Sequence, residues 1–309
     1  MAQENKTKHT SFYGLVVKSY CKNKQAVLGA MVVLLLILAA LLAPAITSFD
    51  PITGQDYEAV LVSPNSVHLM GTDDLGRDTF SRIVYGARLT MAAAIIPVAI
   101  AFFIGVPIGL YTGYKGGFID QWVITRIVDA LQAFPSLVLA LALASVLGGG
   151  FTNAMIAIGV GFLPAFIRIT RAQVMQVKNM EYIQATKSIG CSDLRIALVH
   201  ILPNIMPTLL VQITLAMASA IIAEAGLSYI GIGASPEQPS WGSMLRNAQS
   251  YLSSQPWIAF WPGISISFVR LRTYFSLLPA YAVSILLASS RIFTAAFLSR
   301  SMTFTHSHL

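Results

Sequence analysis

The chain reads as an all-α membrane protein of about six transmembrane helices, and three observations predict that class. Of its 309 residues 55% are hydrophobic and only 11% are charged, whereas a soluble globular domain carries roughly 25% charged residues. Mean hydropathy is +0.68. Five apolar runs are of about the length that a bilayer crossing requires, and a further one opens at Pro256. The net charge of +7 therefore reads first as loop topology. A nucleic-acid footprint fits poorly, because the basic residues are scattered and no binding motif accompanies them.

The elements follow in order. Residues 26–46 form a charge-free run preceded by Lys6, Lys8, Lys18, Lys22 and Lys24 against the single acid Glu4, so the positive-inside rule places segment 1–25 in the cytosol. A cleaved signal peptide is the rival reading. The run is long for such a leader and lacks a clear small-residue cleavage site, which favours an uncleaved first span. Residues 47–88 hold Asp50, Asp56, Glu58, Asp73, Asp74 and Asp78 and read as an external loop. The second span is expected at 89–111, with kinks at Pro97 and Pro107. Gly105, Gly109 and Gly113 recur at the four-residue spacing that lets helices approach closely.

A third span at 122–147 carries Arg126 and Asp129, expected as a helical ion pair rather than a proton relay, and a break at Phe134 and Pro135. A fourth follows at 154–169. Next comes a basic insert, 170–204, on the same side as the N-terminal segment, then a fifth span at 206–224. Residues 227–255, rich in Gly, Pro and Ser, fall outside by the same count.

Within the insert, Gly190 suits a left-handed helix stop, and Cys191, Ser192 and Asp193 suit the N-cap of a second helix. That helix is expected to rest Leu194, Ala197, Leu198, Ile201 and Leu202 on the bundle and to stop at Pro203. Glu181, Lys187 and Arg195 then form a polar face open to a partner. A helix lying on lipid headgroups is the alternative.

The spacing of Glu181, Ala185 and Gly190, running on to Pro203 and Asn204, resembles the "EAA loop" of inner-membrane permease subunits in ABC importers. Thr186 stands where a second Ala is usual. The stretch from Gly71 through Asp73, Asp74, Gly76, Arg77, Asp78 and Arg82 to Arg88 resembles the dipeptide, oligopeptide and nickel branch of that family. By its own chemistry this stretch is a charged turn in which Asp78 and Arg82 can pair at i,i+4. A metal site of Asp73, Asp74 and Asp78 fits less well than ion pairing with Arg77 and Arg82.

Glu224, at the end of the fifth span, is a functional-site hypothesis by position. Three readings stand level: lining a translocation path, snorkelling to the outer interface, or bonding backbone amides of the Gly-rich turn that follows.

The resemblance covers about 26–267 and is to DppC/OppC-type permeases. It implies a MetI-like, type I importer fold with its core at 89–267. It also implies a second, similar permease, two ATP-binding subunits and an external solute-binding protein. The chain would form half of a peptide path in the bacterial inner membrane and couple it, through Glu181, Ala185, Gly190, Pro203 and Asn204, to ATP used by its partners. Nickel, glutathione or opines are alternative cargoes within the branch. From another class, an ion-gradient-driven secondary transporter would want two related halves, and the halves here do not resemble each other.

The sequence contains no phosphate-binding G-x-x-x-x-G-K-[ST] loop, no G-x-S-x-G elbow, no H-E-x-x-H and no spaced Cys/His set. No enzyme activity, cofactor or metal on this chain is expected, and Cys21 and Cys191 read as free thiols. The ending departs from the branch. Arg270 and Arg272 interrupt the expected sixth span, a second apolar run with Arg291 occupies 274–298, and no acid follows Glu237. Segment 268–309 is therefore expected to pack poorly, as a frame change or a variant ending; the alternative is that 274–298 supplies the sixth transmembrane helix.

Overall fold

A computed structural model describes residues 24–269, and every regular element among them is helical. Helix α1 (Lys24–Ile46) turns Leu34, Leu35 and Leu41 outward and Val32, Ala40 and Ala43 inward. This is the partition expected of a helix with lipid on one side and protein on the other. An irregular stretch leads to Asp78, whose side chain accepts from the Ser81 N–H and caps α2 (Thr79–Lys115). At ~1.5 Å per residue its 37 residues span about 55 Å, well beyond the ~30 Å hydrocarbon core. The second span is thus the middle of a longer rod that projects at both ends. Pro97 and Pro107 both lie inside this one uninterrupted helix.

The expected third span is two helices, α3 (Ile119–Gln132) and α4 (Ser136–Val146), bent by 95° across the break. Pro135 explains the break: it donates no backbone hydrogen bond and disfavours helical geometry at Phe134. Then follow α5 (Phe151–Val177), α6 (Glu181–Ser188), α7 (Asp193–Ile230), α8 (Trp241–Ala248) and α9 (Trp257–Val269). Among the described residues α2, α5 and α7 are long and apolar enough to cross a membrane, and the bent pair supplies a fourth crossing if it counts as one span. The apolar parts of α1 and α9 are shorter.

The long helices run between two poles. At one, Arg82 Nη1 donates to the Pro51 carbonyl at 2.7 Å, and Trp241 Nε1 donates to Ile83 O at 3.1 Å. There too the Gly150 N–H donates to Ile232 O at 2.9 Å. At the other, Tyr114 Oη donates to Asp193 Oδ1 at 2.9 Å and Lys178 Nζ donates to Gly113 O at 2.9 Å. Segments 47–88 and 227–255 therefore share one pole, and the insert occupies the other.

The glycine stripe makes the central helix contact. A Cβ on Gly105, Gly109 or Gly113 would lie 2.9, 2.6 or 2.7 Å from the Cβ of Phe166, Thr170 or Val174. Spacing of four on α2 thus meets spacing of four on α5, and any larger residue on the stripe forces the two apart.

Towards the insert pole the core gathers Val106, Leu110, Phe166, Val174, Ile201 and Ile205. A second cluster joins Ala40 of α1 to Ala87, Ile221, Trp241, Met244 and Val269. Val269, 5% exposed, belongs to that core, and Phe268 beside it is 49% exposed. Residues 1–23, with their lysines and Cys21, and 270–309, with the arginines and apolar run of the tail, lie outside the described residues.

Candidate functional site

Helix α6 ends in a complete Schellman turn. The Gly190 N–H donates to Lys187 O at 3.0 Å and the Cys191 N–H to Thr186 O at 3.3 Å, with Gly190 at φ +83°. No atom crowds a Cβ built there, so glycine is required by backbone angle alone. Ser192 takes the N-cap position of α7 without a side-chain cap bond, and Asp193 is engaged by Tyr114 instead.

Helix α7 does not stop at Pro203. Residues Ile196–Ile201 form a π-turn, in which Leu202 N–H reaches back five residues to Ala197 O, and the helix continues through Pro203 to Ile230. The wider turn precedes a residue that cannot donate, so the expected break is absorbed.

The π-turn also changes part of the expected face: Ile201 and Leu202 rest on the bundle as expected, and Leu194 and Leu198 do not. With five residues between aligned positions, Ile196 and Ile201 point inward together and are fully buried, as is Ile205 one turn on. Leu194 is 71% exposed, and Leu198 and Val199 are also exposed; so is Ile189 beside Gly190, at 80%. A period of 3.6 placed Leu194 and Leu198 on the bundle; the actual period here is longer. Glu181, Lys187 and Arg195 are exposed as expected, and Ala185 is exposed beside them. Asn204 Nδ2 donates to Tyr182 Oη, tying α7 back to α6 beside Pro203. The insert is thus a helical elbow presenting apolar side chains to the outside.

A groove of about 450 Å³ opens midway between the poles, where the α3–α4 break faces α5 and α7. Its wall combines Phe134 and Phe162 with the neutral polar side chains of Gln132, Ser136, Gln212 and Ser219. Single glutamines inside apolar runs were the available sequence signal, and it is weak beside a charge or a motif.

Helix α3 is fastened to α5 below the groove. Arg171 makes a two-pronged pair with the buried Asp120 at 2.8 and 2.6 Å. Arg168 reaches Asp129 at 2.8 Å. Asp129 therefore pairs across helices and not with Arg126, whose guanidinium lies over the Trp122 ring at 5.6 Å.

Glu224 is 2% exposed and is not part of the groove wall. It accepts from Ser228 Oγ at 2.7 Å, and the same hydroxyl oxygen accepts from the Ala234 N–H at 2.8 Å. Glu224 is thus linked to the Gly-rich turn through the Ser228 hydroxyl. A buried polar cluster lies at the same pole. Asp73 accepts from Arg77 Nε at 2.7 Å and from its backbone N–H at 2.9 Å. Asp78 pairs with His68 at 3.0 Å and not with Arg82. Arg82 instead lies 3.6 Å from Asp73 and donates to the carbonyls of Pro51, Pro236 and Glu237. No group of metal-binding side chains occurs among the described residues.

The inward-facing MetNI methionine ABC transporter superposes with a TM-score of 0.54 over 67% of this chain and 96% of that one, at 18% identity, a likeness of fold alone. The family described as "Binding-protein-dependent transport system inner membrane component" matches residues 105–302, and the "N-terminal TM domain of oligopeptide transport permease C" matches 11–64. The chain belongs to the binding-protein-dependent inner-membrane permease family, a transport family rather than an enzyme family.

Among its relatives are the dipeptide transport permease DppC of Alkalihalophilus pseudofirmus, 40% identical over 82% of this chain and 83% of that one, and the DppC of Haemophilus influenzae, 38% identical over 79% and 84%. The glutathione transport permease GsiD of Pectobacterium atrosepticum is 36% identical over 81% and 82%. The family matches begin before residue 26 and run beyond Ser267, past both limits that the motifs had marked.

Proposed function

We propose that this chain is a peptide-importing permease subunit that forms half of the path across the inner membrane. In this reading it pairs with a second, similar permease and is driven by two ATP-binding subunits that dock on the insert. An external binding protein delivers cargo at the opposite pole. The N-terminal segment and the insert then face the cytosol, and segments 47–88 and 227–255 face outward. ATP is consumed by the partners.

One observation carries the coupling half of the proposal: Ile189, Leu194 and Val199 stand exposed on an ordered elbow. A group of exposed apolar side chains on one surface marks a site that a partner or a membrane covers. The elbow continues directly into α7, which walls the groove, so a push at the insert reaches the path through one helix. Glutathione is the second reading of the cargo, favoured by the GsiD relatives.

Co-purification with the ATP-binding subunits, followed by uptake into vesicles, tests the reading. ATP-dependent uptake of dipeptides is expected. Uptake driven by an ion gradient without ATP would overturn it. Impermeant labelling of a cysteine placed at the exposed Asn65 or Ser253 should succeed from outside; labelling that needs permeabilisation would reverse the topology.

A further inference from the structure

The groove contains amides and hydroxyls and no charge. Gln132 closes α3, Ser136 opens α4, and Gln212 and Ser219 sit two turns apart on α7, all on one cavity wall. No group of the chain engages the side-chain amide of Gln132 or Gln212 among the described residues, whereas Ser219 Oγ donates to Leu215 O. The charges one turn away along α3 and α5, Asp129 and Arg168, cancel one another at 2.8 Å. The buried carboxylate of Glu224, on α7 beyond Ser219, is held by Ser228 and does not reach the wall.

A primary amide offers two N–H donors and a carbonyl acceptor, the complement of a peptide group in either chain direction. We propose that Gln132 and Gln212 are the cargo-contacting residues of this half-path. They read the amide backbone of a passing peptide, and the lack of charge makes the step indifferent to the charge of the peptide's side chains. This rests on the peptide-permease reading above. Phe134 and Phe162 supply apolar surface beside the amides, so side chains of the cargo meet rings while its backbone meets Gln132 and Gln212.

The test uses the complete transporter, with partner permease, ATP-binding subunits and binding protein, in proteoliposomes. Uptake of Ala-Ala, Ala-Lys and Ala-Glu is measured for wild type, Gln212→Glu and Gln212→Lys, each variant expressed as a ratio to wild type for the same peptide. The ratio cancels any preference of the binding protein. A like charge at close range in a partly solvated groove is worth about tenfold. Gln212→Glu should therefore depress Ala-Glu about tenfold relative to Ala-Ala, and Gln212→Lys should depress Ala-Lys by a similar factor. A folding defect would not change sign with the introduced charge. Wild-type uptake combined with equal effects on all three peptides, or with none, overturns the inference alone. A wild type that moves none of the three overturns the peptide reading and the inference with it.

Discussion

The two poles of the molecule use polarity in opposite ways. At the Arg82 pole, charged side chains are buried and spent on one another: Arg77 and Arg82 are each 1% exposed, and their partners are a carboxylate and backbone carbonyls of segments far apart in sequence. At the insert pole Glu181, Lys187 and Arg195 point to solvent, and apolar Ile189 and Leu194 accompany them. A buried, mutually satisfied cluster clamps loops together. An exposed, mixed surface on a helical elbow has left its interactions for another molecule to complete. Damage to the first should be read as lost stability and damage to the second as lost partnership.

The largest effect expected of that contrast is at Arg77. Replacing it with alanine removes the nearer of the two arginines beside the buried Asp73 carboxylate and leaves Arg82 at 3.6 Å; breaking a buried pair outright costs about 3–5 kcal/mol, the upper bound here. A marked fall in thermal midpoint and yield of the detergent-solubilised protein should follow. An unchanged midpoint would show that the cluster does not clamp the loops.

Next is Gly190→Val. The left-handed angle penalises a β-branched residue by roughly 1–2 kcal/mol, with no steric clash to add. Membrane insertion should survive while ATP-driven uptake is lost, and Gly190→Asn, which tolerates that angle, should retain most of it. Equal failure of both variants would point to a role for the glycine other than its backbone angle.

Smaller in stability, though decisive for assembly, is Leu194→Asp. The side chain is 71% exposed, so the change in stability should stay within about 0.5 kcal/mol. Co-purification of the ATP-binding subunits should nonetheless fail. Retained binding would remove the apolar rim from the docking surface.

The smallest effect concerns pH. Burial, and secondly the charge of Asp73, raise the Asp74 carboxyl above its ordinary value of 3.8. Arg77 stands 3.9 Å away, and Oδ1 of Asp74 has no hydrogen-bond partner. The folded state thus holds the proton more tightly. Its stabilising contribution is complete below the ordinary value and is lost as pH rises through the raised one. Asp74→Asn should flatten that part of the pH–stability profile and leave the protein no less stable at neutral pH. A profile unchanged by the substitution would show that Asp74 does not titrate differently on folding.

The spans were legible because bilayer crossing is a one-dimensional demand: enough apolar residues in a row, wherever they pack. Residues 26–46, 89–111, 154–169 and 206–224 all fall within helices of the structure. The turn at Gly190 was legible too, since a left-handed backbone is a local requirement that glycine meets unaided. Gly105, Gly109 and Gly113 announced a close helix contact by their spacing, though not that Phe166, Thr170 and Val174 would meet them.

Pairings between elements escaped the sequence. Asp78 with Arg82, and Arg126 with Asp129, are reasonable neighbours on a lone helix, yet Asp78 takes His68 and Asp129 takes Arg168. A charged side chain in a crowded bundle goes to whichever partner desolvation leaves within reach, and three-dimensional packing sets that reach. The π-turn at Ile196–Ile201 is the sharpest instance. One extra residue in a turn leaves Leu194 and Leu198 exposed and brings Ile196 into the core beside Ile201. Local sequence determined where the chain crosses and where it turns; tertiary packing decided which faces, charges and amides were left free to work.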